Sequence, residues 1–213
     1  MPFPSRPTRL CAVLLIAALA GGCAAWKRFQ YEGVGRDDWQ TPDEVVALLG
    51  IGAGDRVADV GAGGGYFTVR FADAVGAWGR VWAVDVDEDL LAYLEERAAE
   101  EGRSNVEVVR GELDDPLLPD GEVDLVFLAN TYHHIEERPA YFRRILVDLA
   151  PKGRVAIVEL DDRSWFPRMT GHFTSADRIA DEMAEAGFRL AARHEILDRQ
   201  SFQIFEPDDG TGE

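Results

Sequence analysis

Short runs rich in Val, Ala and Leu recur along the chain, separated by longer stretches whose apolar residues return every third or fourth position. RVADVG (56–61), RVWAVDV (80–86), VEVVRG (106–111), VDLVFLAN (123–130) and RVAIVEL (154–160) read as strands. The run 123–130 carries no charge after Asp124, as expected for a strand buried on both faces. YFTVRFADAVG (66–76), DEDLLAYLEERAAEEG (87–102), Pro139 to Ala150 and Ser175 to Ala186 read as helices. Gly76, Gly102, Pro151-Lys152-Gly153 and Gly187 close them. Ahead of the first strand, Thr41-Pro42-Asp43-Glu44 opens a helix that ends at Gly50, with Thr41 as cap and Glu44 completing a capping box. FRLAARHEIL (188–197) and QSFQIFEP (200–207) are strands joined by Asp198-Arg199, a connection that suits only antiparallel neighbours. The pattern predicts an α/β fold: a mostly parallel sheet, helices on both faces and an antiparallel hairpin at the C-terminal end.

The chain has 213 residues, enough for one domain with a substantial core. Its formal charge is −17, which disfavours nucleic acid and anionic lipid surfaces as electrostatic partners. Both cysteines, Cys11 and Cys23, precede the predicted fold, so neither a disulfide framework nor a Cys-rich metal site is expected in it. The N-terminus itself has a three-part layout: Arg6 and Arg9 with no acid, the apolar run Leu10 to Ala20, then small residues before Cys23. That is the order of a secretory signal, and the apolar run is short for a permanent membrane span. LAGGC (19–23) resembles a bacterial lipobox, although Ala20 stands where a larger aliphatic residue is usual. The resemblance implies lipidation at Cys23, membrane attachment and a periplasmic location; a fortuitous apolar helix on a cytoplasmic protein is the alternative. The expected organisation is a targeting segment over 1–23, a leading arm or lid over 24–40, the main domain over 41–207 and a short flexible tail over 208–213.

The strongest local signal follows the first strand. Asp59-Val60-Gly61-Ala62-Gly63-Gly64-Gly65-Tyr66 runs from strand into glycines and then into a helix. Glycines there let the backbone turn sharply and come close to a ligand at the carboxyl edge of the sheet. A dinucleotide fingerprint GxGxxG starting at Gly61 needs glycine where Tyr66 stands, and no GK[ST] follows to make a phosphate loop. The second strand ends in Asp85, a carboxylate placed to accept hydrogen bonds from ribose hydroxyls in either nucleoside class. Capping the 87–102 helix is its other reading, and Asp87 can do that alone.

The spacing D-x-G-x-G-x-G resembles motif I of the class I S-adenosylmethionine-dependent methyltransferases, of the type 11 kind. VWAVDV (81–86), GELDDPLLPDGEVDLVFLANTYHHI (111–135) and LAPKGRVAIVEL (149–160) extend the likeness in the same order, with Lys152 where the family usually has glycine. The resemblance implies a three-layer Rossmann-like fold whose seven-stranded sheet is mostly parallel, with an antiparallel C-terminal strand beside the fifth. It implies S-adenosyl-L-methionine as cofactor. Asp59, Gly61, Ala62, Gly63 and Gly65 would line its methionine half, and Asp85 would hold the ribose. Val86, Glu112 and Leu113 would enclose the adenine, with Asp114 competing if the loop register shifts. Asn130 would stand where cofactor and acceptor meet. RDDWQTPDEV (36–45) resembles the family's lid, so Trp39 and Gln40 either close over the cofactor or pack the arm onto the domain.

On the acceptor side, His133 and His134 follow the fourth strand and are candidates for a general base; packing or capping the next helix is their other role. Tyr66, Tyr132 and His172 are candidate walls of the acceptor pocket, and His194 reads as structural. The expected activity is methyl transfer to a small-molecule acceptor by in-line displacement. The alternatives are an NAD(P)-dependent oxidoreductase, which lacks its third glycine and a YxxxK pair here, and a non-catalytic nucleoside-binding protein. An export signal sits awkwardly with a cofactor made in the cytosol.

Overall fold

The computed structural model describes residues 35–161 and 173–210. Cys23 and the signal-like segment lie outside the described residues, as does His172. Among the described residues no helix is long and apolar enough to cross a membrane.

Two short helices lead, α1 (Arg36–Gln40) and α2 (Pro42–Leu49). Thereafter strands and helices alternate: β1 (Arg56–Val60), α3 (Thr68–Val75), β2 (Arg80–Asp85), α4 (Glu88–Glu100), β3 (Val106–Arg110) and β4 (Val123–Ala129). They continue with α5 (Arg138–Asp148), β5 (Leu149–Leu160), α6 (Ala176–Glu185), β6 (Phe188–His194) and β7 (Gln200–Pro207). The seven strands form one sheet in the order β3-β2-β1-β4-β5-β7-β6. β1 to β5 are parallel, and β7 lies antiparallel between β5 and β6. The order reverses at β1, where β2 lies on one side and β4 on the other, and in parallel α/β sheets the crevice at that reversal is the usual ligand site.

The sheet is apolar on both faces because helices cover both. One face joins Val60, Val84, Leu128 and Ile157 to Phe142, Ile145, Ile179 and Met183 of α5 and α6. The other joins Val57, Phe127, Val158 and Phe202 to Val45 and Leu49 of α2 and Phe71 and Val75 of α3. β4 alternates between the two clusters residue by residue, so every side chain from Leu125 to Leu128 is buried.

Three local expectations are corrected. Thr41 forms no side-chain cap: its φ is +37° and its hydroxyl has no partner, because the chain turns sharply between α1 and α2 there. β5 begins at Leu149 rather than at 154, because its first residues pair irregularly with β4 across a register shift. The β6–β7 connection spans residues 195–199, longer than the Asp198-Arg199 turn, and its Leu197 is buried in the α2/α3-side core.

Candidate active site

β1 delivers Asp59 and then the glycine turn to the C-terminal edge of the sheet. Gly61, Gly63 and Gly65 all have left-handed φ, +77°, +55° and +84°. A Cβ on Gly61 would lie 2.1 Å from Oγ1 of Thr131, so the glycine turn packs directly against the loop that follows β4. The Gly61 and Ala62 N–H groups donate to the Val84 carbonyl, at 2.8 and 3.0 Å, pinning the turn to the end of β2. From α4, Arg97 donates to the Gly64 carbonyl at 2.9 Å.

Asp85 meets this turn. Its Oδ2 accepts the Gly63 N–H at 2.8 Å, and its Oδ1 accepts the Val86 and Asp87 N–H groups at 2.8 and 3.0 Å. Asp87, not Asp85, caps α4, through Oδ1 contacts to the Asp89 and Leu90 N–H groups at 3.0 and 3.4 Å. The half-buried Asp85 carboxylate is therefore held by backbone amides at the edge, with acceptor capacity left over for a ligand. Val86, which follows Asp85, and Leu113, in the loop after β3, are exposed apolar residues, and Glu112 is exposed as well.

Asp59 is 3% exposed, and Thr68 donates to its Oδ2 at 2.6 Å. Burial pushes its carboxyl up to about 6, against the Thr68 bond and the positive charge of Arg36, which pull it down; nearby Asp85 raises it further. Arg36 comes from α1, and its guanidinium lies 3.8 Å from the centre of the Tyr66 ring. Its Nε donates to Oε1 of Gln40. Burial pulls the Arg36 guanidinium below its ordinary range. The Tyr66 hydroxyl donates to Asp37, which also pairs with Arg70 at 3.2 Å. Burial and that carboxylate push the Tyr66 phenol up, so it stays protonated. α1 is thus a strap tied onto the glycine turn. Gln40 is fully buried and its Nε2 has no partner. Trp39 lies 5.9 Å from the Arg199 guanidinium, which links the strap to the β6–β7 connection.

The other half of the sheet edge is built by β4, β5 and β7. Asn130 has φ +56°; its N–H donates to the Val158 carbonyl and its Oδ1 accepts from Gln200, both at 2.8 Å. The turn after it carries His133, whose Nδ1 lies 2.8 Å from Oε1 of Glu159. The His133 and His134 rings are 4.0 Å apart, with His134 the more exposed. Tyr132 is corrected from pocket wall to core. It is fully buried, stacks on Phe142 at 5.4 Å and bonds Glu182 at 2.8 Å, because the turn after Thr131 directs it into the α5/α6 layer. Arg138 and Arg178 complete that Glu182 cluster.

The expected groups gather as two sets: Asp59, Gly61, Ala62, Gly63, Gly65 and Asp85 around the glycine turn, and Asn130 with His133 beside it. Sequence reasoning missed Arg36 and Glu159. A lone carboxylate closing the apolar run VAIV was a legible sign of Glu159; nothing in the arm singled out Arg36.

The donor set fits S-adenosylmethionine. Two carboxylates, Asp59 and Asp85, lie at the glycine turn, and their chemistry suits a cationic group and a ribose. Arg36 and Gln40, whose Nε2 has no partner, lie on the strap closing the same turn.

Residues 57–153 match the family model of the methyltransferase domain. A ubiquinone/menaquinone biosynthesis C-methyltransferase of Pseudomonas fluorescens (strain Pf0-1) is 32% identical over 143 residues, covering 66% of this chain and 50% of that protein. A protein of the same name from Pseudomonas putida (strain GB-1) is 28% identical over 192 residues, 89% of this chain and 66% of that protein. The chain spans about half the length of the curated relatives it matches. A SAM-dependent methyltransferase from Aquifex aeolicus superposes with a TM-score of 0.76 at 26% identity, over 86% of this chain and 97% of that one. The [4+2]-cyclase SpnF shares the fold, with a TM-score of 0.65 at 23% identity over 75% of this chain and 60% of that one. Residues 57–153 therefore resemble a methyltransferase domain, and the fold is that of a SAM-dependent methyltransferase.

Proposed function

We propose that the protein transfers the methyl group of S-adenosylmethionine to a small-molecule acceptor, with the cofactor across the β1/β2 edge and the acceptor over β4 and β5. The reading is carried by the bond between Asp85 and the Gly63 N–H, which joins the glycine turn to the second-strand carboxylate in one rigid edge. When bound, the cofactor supplies an electrophilic methyl group on a sulfonium. The glycine turn lets the backbone approach its amino-acid end, Asp85 orients the ribose, and the α1 strap limits water entry. The matched segment 57–153 is mainly this cofactor-binding half, so the relatives' carbon acceptors carry over less well than their methyl donor. SpnF shows that the fold alone does not fix the reaction, and therefore transfer itself must be measured.

Calorimetry tests the first step. S-adenosylhomocysteine should bind the full chain at micromolar concentration or better, and NAD should not. Binding of NAD alone would reverse the reading. The lipobox-like N-terminus adds the proposal that Cys23 anchors the domain to a membrane. Mass spectrometry of the mature N-terminus checks it: an unmodified Met1 would remove that part.

A further inference from the structure

We propose that Glu159 is a positioning residue for the transfer: it holds His133 through Nδ1, so that Nε2 receives the proton released by the acceptor. The inference rests on the methyl-transfer reading and names the acceptor class, a molecule that gives up a proton as it is methylated, such as an alcohol, a phenol or an enol.

Glu159 closes β5 and is fully buried. An isolated carboxylate is costly to bury, so its partners matter. Oε1 has two, the Leu160 N–H at 2.9 Å and Nδ1 of His133 at 2.8 Å. Where Glu159 is a carboxylate it only accepts, which puts the hydrogen on Nδ1 and, in the neutral imidazole, leaves the lone pair on Nε2. Packing of His133 alone needs no carboxylate here. A buried glutamate aligned on one imidazole nitrogen is the geometry that fixes tautomer and ring orientation for proton transfer.

Its surroundings favour a polar guest. Oε2 of Glu159 has no hydrogen-bond partner. Ser201 lies opposite Glu159 in the β5–β7 register and Gln203 opposite Ile157, so all three face the α5/α6 side. The Ser201 hydroxyl and both ends of the Gln203 amide are buried and unpartnered too. Buried polar atoms are nearly always paired, so a group of them on one sheet face, beside the loop that touches the glycine turn, suits a hydrogen-bonding ligand. In the step itself, the acceptor's electron pair forms the new bond to the methyl carbon. The carbon–sulfur pair stays on sulfur, and the acceptor's proton passes to Nε2 of His133.

Nitrogen-15 NMR of histidine-labelled full-length protein, recorded above the imidazole titration, reads the arrangement directly. Wild type should show His133 as the Nδ1–H tautomer. Glu159→Leu should shift it toward the Nε2–H form that free imidazole prefers, and Glu159→Gln, which keeps the shape, should give a mixed state. S-adenosylhomocysteine binding should change less than threefold in the Gln variant. An Nε2–H tautomer in wild type, or a tautomer unchanged in the Gln variant, would overturn the proposal. Absence of S-adenosylhomocysteine binding to wild type would instead defeat the methyl-transfer reading, with the tautomer result standing separately.

Discussion

The two halves of the sheet edge are built by different means. Around β1 and β2 the site is mostly backbone: left-handed glycines, amides pinned to the Val84 carbonyl, and a carboxylate saturated on one side by N–H groups. Around β4, β5 and β7 it is mostly side chain: His133 on Glu159, Gln200 on Asn130, and the unpartnered polar atoms of Ser201 and Gln203. Backbone geometry suits a ligand that never changes. Side chains can be exchanged without refolding the edge, which suits a half whose ligand varies from protein to protein.

The sharpest way to break this contrast is Gly61→Ala. The new Cβ meets Thr131 at 2.1 Å on a φ of +77°, so the turn must move away from both β2 and the acceptor loop. The left-handed backbone alone costs about 1–2 kcal/mol for a residue with a Cβ. Calorimetry should show S-adenosylhomocysteine binding weakened by roughly 100-fold or more once the clash is added. Adding Thr131→Gly should recover part of that loss, and no recovery would mean that the turn and the acceptor loop are not coupled. Asp85→Ala comes next, at roughly 10- to 100-fold, the range of one or two charge-assisted hydrogen bonds. Because Asp87 caps α4 by itself, thermal unfolding should fall far less than binding.

The same contrast explains what the sequence disclosed. The glycine turn was legible because its function demands residues with no side chain at fixed positions, and Asp85 because it closes a strand at a set distance downstream. A mostly parallel sheet with a late antiparallel hairpin followed from the alternation of strands and helices, whereas the last strand's place beside the fifth was implied only by the family resemblance. Glu159, Ser201 and Gln203 stand on strands whose alternation is otherwise apolar, and only the register β5–β7 brings them together. Tyr132 was misread because a residue after a strand edge normally faces the ligand, whereas the turn that follows Thr131 sends it into the core beside Phe142.

Asp59 offers a smaller and sharper test, since it is a buried charge within the backbone-built half. Burial raises its carboxyl to about 6, so between pH 4 and pH 6 the folded protein holds a proton that the unfolded chain has lost. Stability from this group therefore declines as pH rises through that window, by up to about 3 kcal/mol. A cationic ligand end beside Asp59 favours the ionised form and reverses the sign for binding. Affinity for S-adenosylmethionine should rise roughly tenfold from pH 5 to pH 7, with proton release near pH 6 measurable by calorimetry in buffers of different ionisation enthalpy. Asp59→Asn should flatten that dependence; an unaltered slope would place the titrating group elsewhere.

The mildest effect belongs to Leu113. It is 81% exposed, so truncation removes almost no buried surface, and the melting temperature of Leu113→Ala should match wild type. If Leu113 covers the adenine, the variant loses only part of one apolar contact, and S-adenosylhomocysteine affinity should fall about threefold, in line with the few tenths to one kcal/mol that a partly exposed side chain contributes. Because Leu113 lies far along the edge from Glu159, the His133 tautomer should not respond. A larger loss in affinity, or a change at His133, would show that the backbone-built and side-chain-built halves communicate through the β3–β4 connection rather than only through Gly61 and Thr131.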